Sequence, residues 1–210
     1  MKTKQFELSG KCNLECEFCY NKEYLGKWRN LEMDYVLEKA ENGNLIFLGG
    51  GEPTLYKGIE KLIEKLLEKG NVVVISTNGI IYKKFPKSNS LQIQISLPAL
   101  DKKLYSEITK KDAVEKVKEN IKKYSKDYKT FVNMPVYEKN FSEIEKVAEF
   151  CKQLEIPLVI SDVIPVNGIK QVDKEKLKQK CLELKLNGYE IYFPDKSWKG
   201  IEYYVPEVKN

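Results

Sequence analysis

Residues 44–76 read NLIFLGGGEPTLYKGIEKLIEKLLEKGNVVVIS. An apolar run (44–49) leads into a glycine-rich turn. A stretch with helical apolar spacing (57–69) follows, and then a second, β-branched run (71–76). Strand, helix and strand in that order imply two parallel strands joined by a right-handed crossover. The same alternation extends in both directions. Strand-like runs lie at 4–9, 91–97, 130–136, 156–163 and 189–193, and helix-like stretches at 31–41, 111–125, 141–154 and 173–187. The connection 79–90, GIIYKKFPKSNS, carries at most a very short helix. No Pro/Gly/Ser-rich linker, short-period repeat or low-complexity segment divides the chain. About six β/α units are too few for a closed eight-stranded barrel of roughly 250 residues. The expected fold is therefore α/β: a partial (β/α)6 TIM-like barrel with parallel strands in a single domain. Residues 1–168 would form its core, and a helix, strand and tail at 169–210 would complete or cap it.

Composition narrows the chemistry. The 210 residues are 42% hydrophobic and 32% charged, as in ordinary water-soluble domains. No apolar run approaches the roughly 20 residues that span a bilayer. MKTKQFELSGKC also lacks the apolar core of a signal peptide. A cytoplasmic protein without a membrane partner is the expectation. Histidine is absent, which excludes Ser-His and Cys-His nucleophile pairs and histidine-ligated metals. The net charge of +5 comes with lysines interleaved among glutamates, as in EKLIEKLLEKG. That pattern describes solvated helix faces and not a nucleic-acid track.

In parallel α/β folds functional residues gather beyond the carboxyl ends of the strands. Those ends carry Ser9-Gly10 and a cysteine loop, Gly49-Gly50-Gly51-Glu52-Pro53, Ser76-Thr77-Asn78-Gly79 and Ser96-Leu97-Pro98, with Asn133 inside the fifth strand. Three of the five cysteines, Cys12, Cys16 and Cys19, form a C-x3-C-x2-C loop directly after the first strand. Three thiolates can ligate three irons of a [4Fe–4S] cluster and leave the fourth iron open to substrate. A structural zinc site needs a fourth ligand. Without histidine, and with the other cysteines remote, that ligand would have to be a carboxylate.

GKCNLECEFCY, with Tyr20 after the last cysteine, resembles the signature of the radical S-adenosylmethionine (radical SAM) superfamily. GGGEPT (49–54), STNG (76–79), ISLPALDKKLYSEIT (95–109), VNMPV (132–136) and the stretch ending DVIPVNG (162–168) resemble its later strand motifs, in the same order. The resemblance implies a [4Fe–4S] cluster held by Cys12, Cys16 and Cys19, and S-adenosylmethionine (SAM) bound at its open iron. It further implies that Gly50 and Gly51 let the backbone approach the methionyl end of SAM and that Glu52 pairs with its ammonium group. Ser76, Asn78 and Ser96 would serve the carboxylate and ribose hydroxyls, and Asn133 the ribose. Each of these polar residues has a cap or turn role as its alternative. Tyr20 would line the adenine site or simply pack.

Cys151 and Cys181 fall in apolar helical patterns and are read as core residues, too few for a second cluster. The resemblance implies an external electron donor (a reductase, flavodoxin or ferredoxin) and hydrogen abstraction from a peptide, protein or small-molecule substrate. Activation of a glycyl-radical enzyme is one specific form of this. A non-catalytic metal-binding module is the rival from another class. The tail YEIYFPDKSWKGIEYYVPEVKN (189–210), with Trp198, covers the open end of the barrel or only packs there.

Overall fold

The computed structural model describes residues 1–27, 29–166 and 168–193, and the backbone of 201–204. Eight strands form one sheet: β1 (Thr3–Glu7), β2 (Leu45–Gly49), β3 (Val72–Thr77), β4 (Leu91–Ser96), β5 (Lys129–Val136), β6 (Leu158–Asp162), β7 (Ile191–Tyr192) and β8 (Ile201–Tyr204). Their order is β7-β6-β5-β4-β3-β2-β1-β8, and every neighbouring pair is parallel. Six α-helices occupy the connections: α1 (Met33–Ala40), α2 (Ile59–Glu68), α3 (Lys102–Thr109), α4 (Val114–Asp127), α5 (Ile144–Gln153) and α6 (Lys174–Leu186). None is long and apolar enough to cross a membrane, among the described residues.

The two faces of the sheet differ in chemistry. Ile46, Leu48, Val73, Ile75, Leu91, Ile93, Ile95, Val132, Met134, Leu158 and Ile160 are fully buried and face the helices. In α2 the residues at i, i+3, i+4 and i+7 (Ile59, Leu62, Ile63 and Leu66) are also fully buried. That stripe is what seats an amphipathic helix on a sheet. The alternate strand positions turn to the other side. In β4 they are Gln92, Gln94 and Ser96, all half-buried. In β5 they include Phe131 and Asn133.

The sheet is rolled. Only residues 193–200 lie between β7 and β8, and an extended segment of that length spans about 30 Å. Edge strands of a flat eight-stranded sheet would stand about 34 Å apart, and the chain must also return to the amino end of a parallel strand. The partial barrel expected from the sequence is therefore the observed architecture.

Two details correct the sequence reading. The sheet has eight strands, because Ile201–Tyr204 pairs with β1. A four-residue strand inside a tyrosine-rich tail has too little periodicity to stand out. The connection after β4 holds two helices instead of one. Residues 102–109 form α3, started by the Asp101 carboxylate, which accepts from the Leu104 amide at 2.8 Å. Trp198 lies outside the described residues.

Candidate active site

The cysteine loop is clamped from two sides. Past the end of β1 the chain keeps pairing with the loop after β2. The Leu8 amide donates to the Gly49 carbonyl (2.9 Å), Gly51 to Ser9 (2.7 Å) and Glu52 to Lys11 (2.7 Å). On the other side, the amides of Glu15 and Glu17 donate to the carbonyls of Thr109 and Ile108 (3.2 and 2.9 Å). These are carbonyls at the end of α3, which the helix itself cannot satisfy. Leu14 is buried beneath the loop.

The glycines answer a demand of the chain itself. A Cβ on Gly51 would stand 2.1 Å from the Lys11 carbonyl oxygen, and one on Gly50, whose φ is +115°, would stand 2.8 Å from that of Ser9. The close approach they permit is to the cysteine loop's own backbone.

Cys12, Cys16 and Cys19 are free and half-buried. Burial raises all three thiols, most of all Cys16, which is pushed up to about 12, and the neighbouring thiolates Cys12 and Cys19 add to the effect on Cys16. Three thiolates this close repel one another unless a cation gathers them. Cubane irons are served by separate thiolates, whereas zinc requires four ligands within about 2.3 Å of one point. The donor set fits a cluster.

Glu52 is 1% exposed. Its carboxylate accepts from the Thr54 amide (3.0 Å), the Thr54 hydroxyl (2.7 Å), the Thr77 hydroxyl (2.7 Å) and the Asn78 amide (2.8 Å). Burial raises its pKa, and these donors oppose the rise. The residue thus ties the loop after β2 to the end of β3. The Asn78 side chain donates to the side-chain oxygen of Asn13 at 2.7 Å and accepts from the Ile80 amide at 3.1 Å. It braces the cysteine loop from the β3 side.

Ser76, Ser96 and Asn133 lie on the inner face of the sheet, half-buried, with Ser96 and Asn133 opposite one another in register. Tyr20 is exposed, and its hydroxyl donates to Glu7 at 3.2 Å.

Several residues at this rim escaped the sequence reading. Glu7, 2% exposed, also accepts from Gln5 (2.6 Å) and Asn21 (3.0 Å), and burial raises its pKa. Asn13 contacts Asn78. At the end of β5, the buried Tyr137 donates its hydroxyl to Glu17 at 2.5 Å, which also receives Lys139 at 3.1 Å. Burial, then Glu17, raises the Tyr137 phenol, and the nearby Cys16 adds to this. The signal for Glu7 was present in KQFELS, where Gln5 and Glu7 alternate with apolar positions. Tyr137 carried no such signal, because its partner is distant in sequence.

Comparison with known proteins agrees with this geometry. The family model of the radical SAM superfamily matches residues 6–151. GTP 3',8-cyclase of Helicobacter pylori is 29% identical over 205 residues, covering 90% of this chain and 64% of the cyclase. A Methanocaldococcus jannaschii protein named as a putative glycyl-radical enzyme activating enzyme is 29% identical over 189 residues, covering 83% of this chain and 74% of that protein. The chain thus spans under two thirds of the cyclase's length. Among solved structures, Streptococcus suis SuiB bound to S-adenosylmethionine superposes with a TM-score of 0.78 at 20% identity, over 93% of this chain and 50% of SuiB. TYW1 with a lysine-pyruvate adduct superposes with a TM-score of 0.64 at 18% identity, over 89% of this chain and 72% of that one. The cofactors of this group of proteins, and of this chain, are a [4Fe–4S] cluster and S-adenosylmethionine. From the cysteine loop on β1 to the fifth helix, the chain belongs to the radical SAM superfamily.

Proposed function

We propose that the protein is a radical SAM enzyme acting on a peptide, protein or small-molecule substrate, with Cys12, Cys16 and Cys19 as the ligands of its cluster. The observation that carries this reading is the clamped loop: three half-buried thiols held between the glycine turn and the end of α3. A cluster held by Cys12, Cys16 and Cys19 and reduced by an external donor (a reductase, flavodoxin or ferredoxin) would supply the electron for reductive cleavage of SAM, and with it the means of removing a hydrogen atom from substrate. The protein's own part is positional. Burial keeps the thiols protonated until metal displaces the protons. Glu52 and Asn78 fix the loops around the cysteines, while the backbone of Gly50 and Gly51 and the side chains of Ser76, Ser96 and Asn133 offer neutral donors and acceptors to SAM. The helix-covered barrel wall shields the reacting centre from water.

The likeness to a glycyl-radical enzyme activating enzyme supports a protein substrate as one form of this reading. A non-catalytic metal module would have no need for the polar inner face.

The test is anaerobic loading with iron and sulfide, followed by SAM and a strong reductant. The expected result is a cluster absorption band and formation of 5′-deoxyadenosine, both lost in Cys16→Ala. A loaded protein that forms no 5′-deoxyadenosine would refute the enzyme reading.

A further inference from the structure

On its α3 side the cysteine loop meets a second group of ionisable side chains. Glu17 stands between Cys16 and Cys19 in the chain, with its amide fixed on the Ile108 carbonyl at 2.9 Å. Its carboxylate gathers donors from two other elements. Just past the end of β5, the Tyr137 hydroxyl donates to it at 2.5 Å, and the Lys139 ammonium lies 3.1 Å from each of its oxygens. Lys110, one residue beyond α3, stands 3.8 Å away. Lys139 is shared with Glu107, at 3.9 Å. Tyr137 is 2% exposed, and its ring lies 6.2 Å from that of Phe18, the next residue of the loop.

The backbone bonds to Thr109 and Ile108 already fasten this part of the loop. A carboxylate between two thiolate ligands adds a charge of the same sign as theirs, which an iron site gains nothing from as a fastening. Burial is the main cause of the raised Cys16 thiol, and Glu17 is among the charges that add to it, so the field of Glu17 reaches that sulfur. Such a charge acts on a cluster in one direction. Reduction adds one electron, and the potential of an iron–sulfur cluster depends on the charge and hydrogen bonds around it. Glu17 opposes the added electron, whereas Lys139 and Lys110 favour it. The two lysines are 38% and 50% exposed against 20% for Glu17, so water and salt screen them more. The carboxylate has the larger effect.

We propose that Glu17, held by Tyr137 and Lys139, is a positioning residue that sets the reduction potential of the cluster. Its carboxylate lowers the potential and makes the reduced cluster a stronger electron donor to SAM, and Tyr137 and Lys139 limit that lowering by sharing the charge. The proposal rests on the radical SAM reading and adds to it the groups that tune the first electron transfer. It also gives β5 a part in the chemistry, through side chains that reach the cysteine loop from its end.

The experiment is a potentiometric titration of the anaerobically loaded protein without SAM, followed by electron paramagnetic resonance of the reduced cluster. Glu17→Gln should favour reduction about tenfold over wild type, which is about 59 mV for one electron. Lys139→Met should disfavour it severalfold, and salt at about 0.5 M should shrink that shift. Tyr137→Phe takes a donor from the carboxylate and should shift the potential in the same direction as Lys139→Met. The double variant Glu17→Gln/Lys139→Met removes one charge of each sign and should return close to wild type. A merely structural role would not give opposite shifts that cancel. Shifts of one sign in Glu17→Gln and Lys139→Met, or no shift in either, overturn the proposal. If Glu17→Gln takes up no cluster, Lys139→Met and Lys139→Arg decide: the first must lower the potential and the second must keep it at the wild-type value, and any other pair of results overturns the proposal. Wild-type protein that takes up no cluster overturns the enzyme reading, and this proposal with it.

Discussion

Glu143 shows how a single buried carboxylate holds a site-bearing loop. At 2% exposure it accepts from the amides of Leu100 (2.9 Å) and Asp101 (2.8 Å) and from Lys146 (2.6 Å). Burial alone would raise its pKa, but Lys146 and the two amides outweigh burial and hold it below the usual value. A carboxylate depressed in the folded state contributes stability above its unfolded pKa and loses it as pH falls through the folded one. Glu143→Gln should therefore cost about 1–3 kcal/mol at pH 7. Urea melts should show that difference shrinking toward zero below about pH 4. Gly51 makes the opposite kind of demand, for empty space. With its Cβ only 2.1 Å from the Lys11 oxygen, Gly51→Ala must push the cysteine loop away from the turn. We expect iron and sulfide content after loading to fall severalfold, with the helical circular dichroism of the domain retained.

At the scale of elements, the helices are seated by their apolar stripes. Leu62→Ala in α2 removes a fully buried side chain between sheet and helix. The expected loss is about 2–5 kcal/mol in chemical denaturation. Asp101→Ala removes the cap of α3 and should cost about 1 kcal/mol. Because α3 ends on the carbonyls that anchor the cysteine loop, the variant should also load less cluster than wild type.

Much of this layer was legible beforehand. The strands from β1 to β6 and the helices α1, α2 and α4 to α6 follow from period alone, and the rim assignment follows from which residues sit at strand ends. The inner wall was also written in the sequence, in LQIQIS, but its strict alternation was merged with the apolar runs around it. Other features depend on pairings between distant segments, which periodicity does not carry. The anchoring of Glu15 and Glu17 on α3, the contact of Tyr137 with Glu17 and the hydrogen bonds of Glu52 with Thr54, Thr77 and Asn78 are of this kind. So is the crossing of the GGGE turn against the cysteine loop.

For the whole molecule, the placement of β8 matters most. It pairs with β1, the strand that launches the cysteine loop, and covers an edge that would otherwise stand open. Removing residues 201–210 should lower the midpoint of thermal unfolding and promote concentration-dependent association. Light scattering during a thermal ramp would register both. The roll of the sheet brings the strand ends together as one rim around the cysteines.

The central claim is that three thiolates hold a cluster with one iron left for SAM. Mössbauer spectroscopy of protein loaded anaerobically with isotopically enriched iron tests it most directly. Addition of SAM should change the signal of one iron in four and leave the other three as they were. A spectrum in which all irons remain equivalent and indifferent to SAM would contradict the account.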